Sequence, residues 1–69
     1  MDYQEIQTLI NYHTTQITLL NNQYTERLPE GEFVELAKIH QKIMYHITES
    51  ERLVDMRTAK AFNNLTIVS

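Results

Sequence analysis

Leu28-Pro29-Glu30-Gly31 is the stretch on which the fold turns. It holds the one proline and the one glycine of a 69-residue chain. Proline fixes its own φ, has no N–H to give, and biases the residue before it away from the α region. A helix arriving from the N-terminal side should therefore stop near Arg27 or Leu28, with Leu28 driven out of the helical region. Gly31 accepts whatever dihedral a reversal needs. Either Pro29 or Gly31 can then open a second helix, with Glu30, Glu32 and Glu35 near its positive N-terminal end. A connection this short makes its two helices antiparallel neighbours. The sequence predicts an all-α, antiparallel two-helix hairpin, coiled-coil-like, with helices over about 2–28 and 32–62, a turn at 28–31 and a tail at 63–69.

Working outward from the turn, the first helix begins at Asp2. Glu5 stands three residues later, which gives an acidic start of capping-box form. The large side chains that follow are Tyr3, Ile6, Ile10, His13, Ile17, Leu20 and Tyr24, in alternating steps of three and four. Such spacing is a seam facing one partner helix. Leu9 and Leu28 widen it, while Tyr12 and Leu19 fall on a second face. In the second helix Phe33, Leu36, Ile39, His40, Ile43, Ile47, Ser50, Val54 and Ala61 gather on one stripe. Folding the hairpin at 29–31 brings Ile17 near Ile43, Ile10 near Ser50, Ile6 near Val54, and His13 near His46 or Ile47. Thr48-Glu49-Ser50-Glu51 has the form of an internal capping box, but the stripe keeps its phase through it, so one continuous helix is expected. Arg57 and Lys60 suit a helix C-terminus, and Asn63-Asn64 suit a stop just beyond them. The β-prone tail Leu65-Thr66-Ile67-Val68-Ser69 should fray or dock.

Composition narrows the function. One small domain with two helices leaves each apolar stripe half covered, and domains below ~70–80 residues ordinarily need a disulfide, a metal or a partner chain. There is no cysteine, so disulfides and thiolate metal sites are excluded and a reducing, cytoplasmic setting fits. A net charge of −3 disfavours broad binding to phosphate backbones. Met1-Asp2 opens acidic, so no signal peptide is expected, and the run Thr8–Thr25 is too polar to span a bilayer. The expected staple is another polypeptide.

Chemistry-bearing residues are few. His13, His40 and His46 include no HExxH or His-x3-His pair, so no metal site is expected. The carboxylates line a helix start and a solvated face, with neither a glycine-rich loop nor a sheet to form a pocket, so no catalytic residue and no cofactor are expected. The six basic residues alternate with acids, as in the pairs Glu35–Lys38 and Glu49–Arg52 of a solvated helix. Val34, Tyr45 and Met56 recur every eleven residues, which returns to nearly the same helical face. Together with Tyr12 and Leu19 they are large groups that the seam does not use, and contiguous apolar surface marks interaction sites. The candidate partner-binding set is Tyr12, Leu19, Val34, Tyr45, Ile47, Leu53, Val54 and Met56, of which Ile47 and Val54 also belong to the intramolecular stripe.

In its length, its two helices about a glycine-containing turn, and above all in Ile47-Thr48-Glu49-Ser50-Glu51-Arg52-Leu53-Val54-Asp55-Met56 and the ending Asn63-Asn64-Leu65-Thr66-Ile67-Val68-Ser69, the chain resembles the small YscE/SsaE/EscE-like co-chaperones of type III secretion needle subunits. The resemblance implies a cytoplasmic virulence-system chaperone subunit. It would pair with a larger tetratricopeptide-like chaperone, and the two would hold the needle subunit unpolymerised until export. The residues alone also admit a homodimeric four-helix bundle with an RNA-binding or regulatory role, of phage or plasmid origin.

Overall fold

The computed structural model describes the backbone of residues 1–68 and the side chains of residues 1–63. It is an all-α hairpin: α1 (Tyr3–Arg27), a 3₁₀ turn (Leu28–Glu30) and α2 (Phe33–Val68). The hairpin measures 57 × 15 × 15 Å, a rod two helices wide.

The N-terminus of α1 is capped as its sequence suggests, the Asp2 carboxylate accepting the Glu5 backbone N–H at 2.8 Å. The uncharged run that follows is helical throughout, and several of its hydroxyls bond within it. Thr14, Thr15, Thr18 and Thr25 each donate to the carbonyl four residues back, at 2.8, 2.9, 3.2 and 2.9 Å. A hydroxyl bonded this way no longer competes for the backbone of a turn.

At the reversal, α1 stops at Arg27, but Leu28 keeps helical dihedrals (φ −55°, ψ −43°) and its N–H reaches Tyr24 O. That bond, closing the last turn of α1, outweighs the bias that Pro29 imposes on its neighbour. Gly31 then takes φ +68° and donates to Leu28 O at 3.2 Å. The residue that opens α2 is neither Pro29 nor Gly31: the first bond of the new helix runs from Leu36 N–H to Glu32 O at 3.0 Å. No atom lies within 4 Å of a Cβ built on Gly31, so alanine there meets only the backbone penalty of a left-handed residue. Gly31→Ala should cost about 1 kcal/mol, read as a lower thermal midpoint with an unchanged helical spectrum.

The core is a single seam. Ile6, Ile10, Leu20, Leu36, Ile39 and Leu53 are the buried hydrophobic residues among those described. On α1 the expected spacing holds, with His13, Ile17 and Tyr24 half-buried between the buried positions and Tyr3 exposed at the open end. On α2 the packing row is Leu36, Ile39, Ile43, His46, Ser50, Leu53, Arg57 and Lys60, every one buried or half-buried. This is a strict seven-residue repeat, and it departs from the expected stripe after Ile43. The inward positions are His46 and Leu53, while Ile47 and Val54 sit beside them half-buried. A 3.5-residue repeat keeps facing its partner only when the helices wrap about each other, whereas a fixed helical face drifts away. His40 and Phe33 fall outside the row for the same reason, and Phe33 is 80% exposed.

The predicted register is realised: Ile6 and Ile10 pack with Leu53 in one cluster, joined by Leu9, Val54 and Met56. α2 runs unbroken through Thr48–Glu51. The pairs Glu35–Lys38 (3.6 Å) and Glu49–Arg52 (2.8 Å) form, with a further pair, Arg27–Glu35 (3.6 Å), across the turn. Such exposed pairs contribute a few tenths of a kcal/mol each, ~0.2–1. Arg57 and Lys60 do not serve a helix end. Arg57 Nη1 donates to Gln7 Oε1 and Lys60 Nζ to the Met1 carbonyl, both at 2.7 Å, which ties α2 to the start of α1.

Past Lys60, α2 has no α1 opposite it, so Ala61, read from sequence as a seam position, is exposed. The backbone stays helical to Val68 instead of stopping at Asn63-Asn64. Asparagine opposes a helix by only about 0.7 kcal/mol, and no glycine or proline follows to end it. Whether the tail docks depends on side chains outside the described residues.

Candidate interaction surface

The structure divides the expected partner-binding set. Tyr12, Leu19, Val34 and Tyr45 are exposed, at 47%, 49%, 70% and 58%. Leu53 is 1% exposed; it is a centre of the hairpin's own core and offers no surface as the hairpin stands. Ile47 and Val54 are half-buried along the opposite flank of the seam. Met56 is not the outward residue its eleven-residue spacing suggested. It packs against the Ile6–Ile10–Leu53 cluster and its sulfur accepts from Arg52 Nη1 at 3.4 Å.

Tyr12, Leu19 and Tyr45 nevertheless share one side of the rod. Tyr12 and Tyr45 flank the same point of the seam from opposite helices, with Tyr12 6.0 Å from the His46 ring and Tyr45 6.2 Å from the His13 ring. Leu9 and Met56 meet at the core on this side. Leu19, two turns beyond Tyr12, extends the strip toward the turn, while Val34, two residues before the inward Leu36, stands on the outer face of α2. Between Thr8 and Thr25, α1 carries no Asp, Glu, Lys or Arg. The middle of the strip on α1 is therefore uncharged, with Glu5 and Glu26 at its two ends, seven residues from Tyr12 and Leu19, while α2 brings Glu35, Lys38, Lys42, Glu49 and Arg52 to the same side.

The centre of the strip is a cluster of four rings. His13 Nδ1 and His46 Nδ1 stand 2.7 Å apart across the two helices, one ring's N–H donating to the other. Tyr12 stacks on His13 at 5.1 Å and 5°, and Tyr45 meets His46 edge-on at 5.1 Å and 71°. Burial, and then the nearby His13, lowers the His46 pKa from its ordinary value. One layer along the seam the Ser50 hydroxyl is buried with no hydrogen-bond partner.

Leu9 widens the seam as the sequence suggests, half-buried against its core cluster, which Met56 also joins. One feature was missed in the sequence. On the other side of the rod a shallow groove at the turn is lined by Tyr24, Leu28, Phe33, Ala37 and His40. Its signal was the three-residue step from Leu36 to Ile39, which in a repeat of alternating threes and fours puts the preceding inward position at Glu32 and leaves Phe33 beside the seam.

Among the described residues no three His, Asp or Glu side chains converge on a point, and no helix is long and apolar enough to cross a membrane. The chain matches no protein-family model, no curated protein and no solved structure. The class defined by fold and surface is thus a helical hairpin with one apolar side uncovered.

Proposed function

We propose that this hairpin is a non-enzymatic binding module, and specifically a type III secretion chaperone subunit. In this reading it pairs in the cytoplasm with a tetratricopeptide-like chaperone and helps keep the needle subunit soluble and unpolymerised before export. The observation that carries the reading is the strip Tyr12, Leu19 and Tyr45, each 47–58% exposed on a chain whose own core is one narrow seam. A helix-lined groove of the kind built by tetratricopeptide repeats is suited to an apolar helix face of this length. Binding that excludes water from the strip would also stabilise a marginal fold by mass action.

Co-expression with a tetratricopeptide-like protein encoded beside this chain tests the proposal. The expected result is a stoichiometric complex that survives gel filtration and melts well above the isolated hairpin. Absence of a complex, together with a gel shift of structured RNA at moderate salt, would replace this reading by that of an RNA-binding bundle.

A further inference from the structure

From the meeting of His13 and His46 we infer a two-histidine site for a first-row divalent cation of the zinc, copper or nickel type. The inference is independent of the chaperone reading.

Metal was set aside in the sequence because no two histidines stand three or four residues apart on one helix. The hairpin supplies the pair from two helices instead. The two Nδ1 atoms stand 2.7 Å apart. Imidazole nitrogens bind such cations at about 2.0–2.1 Å, which places two ligands about 2.9 Å apart at a right angle and about 3.3 Å apart in a tetrahedron. To admit an ion the rings need to part by a few tenths of an ångström and to rotate so that each lone pair aims about 35–45° off the line between the nitrogens, toward a common point. The hydrogen bond they make without it uses the same two positions, so the cation replaces that bond rather than a packed contact. The ring that donates moves its proton to Nε2 through solvent, and a neutral pair binds with no net proton loss.

The setting holds the rings in place. Each is fixed by an aromatic neighbour on its own helix, Tyr12 stacked on His13 and Tyr45 edge-on to His46. The backbones beneath are held by Ile10 on α1 and by Ile39 and Leu53 on α2, all buried. Both histidines are half-buried rather than sealed, so a cation entering from the tyrosine side keeps water on its remaining positions. Two protein ligands with open positions give modest affinity and quick exchange, in contrast to a closed four-ligand structural site. In the adjoining layer the Ser50 hydroxyl is buried without a hydrogen-bond partner, a further polar group in this stretch of the seam. Because the ligands come from α1 and α2, the ion would clamp the middle of the hairpin and favour the folded chain by mass action.

The test is titration of the full 69-residue chain with zinc chloride, followed through the imidazole resonances, with magnesium chloride as control. The expected result is that His13 and His46 move together and saturate at one zinc per chain, while His40 and the magnesium control do not respond. His46→Gln should weaken the apparent affinity at least tenfold, and His40→Gln should leave it within twofold. If His46→Gln fails to fold, the wild-type titration decides alone. Parallel drift of all three histidines without saturation, saturation at one zinc per two chains, or no response would each overturn the site.

Discussion

Replacing Leu53 by alanine is expected to unfold the hairpin. Leu53 is 1% exposed and packs with Ile6 and Ile10 in the cluster that closes the open end of the rod. Leucine-to-alanine changes at such positions cost about 2–5 kcal/mol, and a single core in a chain this short supplies only about 3–5 kcal/mol. The helical circular dichroism signal should fall to that of a largely unfolded chain at room temperature. Leu19→Ala, on the exposed strip, should shift stability by no more than about 0.5 kcal/mol. Equal effects of the two substitutions would mean that the seam is not where the structure puts it.

The second large effect is on binding. Leu19→Asp combined with Tyr45→Asp should leave helicity intact and weaken the complex with the partner chaperone about 100-fold or more. Each carboxylate would enter an apolar interface without a counter-charge, and anchors of this kind are worth about 2 kcal/mol or more apiece. Met56 is a poor probe for this purpose, since it packs on the core and its loss would confound stability with binding. Measured by titration calorimetry on the double variant, retained affinity with normal helicity would show that a different side of the hairpin docks.

The turn, the α1 seam, the register and both intrahelical ion pairs were legible in the sequence because one residue type at each position admitted one reading. Pro29 and Gly31 permit a single reversal, and Ile6 and Ile17 have polar neighbours that settle which way they face, which sets the phase for Ile10 and Leu20 beside Leu9 and Leu19. α2 was less legible because its apolar residues come in adjacent pairs. Ile47 follows His46 and Val54 follows Leu53, so hydrophobicity prefers Ile47 and is indifferent between Leu53 and Val54. Only the seven-residue repeat of two wrapped helices selects His46 and Leu53. That choice converts Leu53 from a docking residue to core and places His46 against His13. The eleven-residue spacing of Val34, Tyr45 and Met56 failed at its last member for a related cause, since the wrapping turns Met56 back toward Leu9. The helix past Asn63 was missed because a weak stop signal carries little energy against continued backbone bonding.

The seam alone leaves this chain marginally stable, and in the proposed function a different protein covers the Tyr12–Leu19–Tyr45 strip. Light scattering across a concentration series, with circular dichroism melts on the same samples, separates this from self-association. The expected result is a monomer, or a loosely associating species, with a broad, low-temperature melt that sharpens and rises when the partner is added. A tight dimer that melts cooperatively at every concentration would contradict it, because the strip would then be covered by a second copy of the same chain.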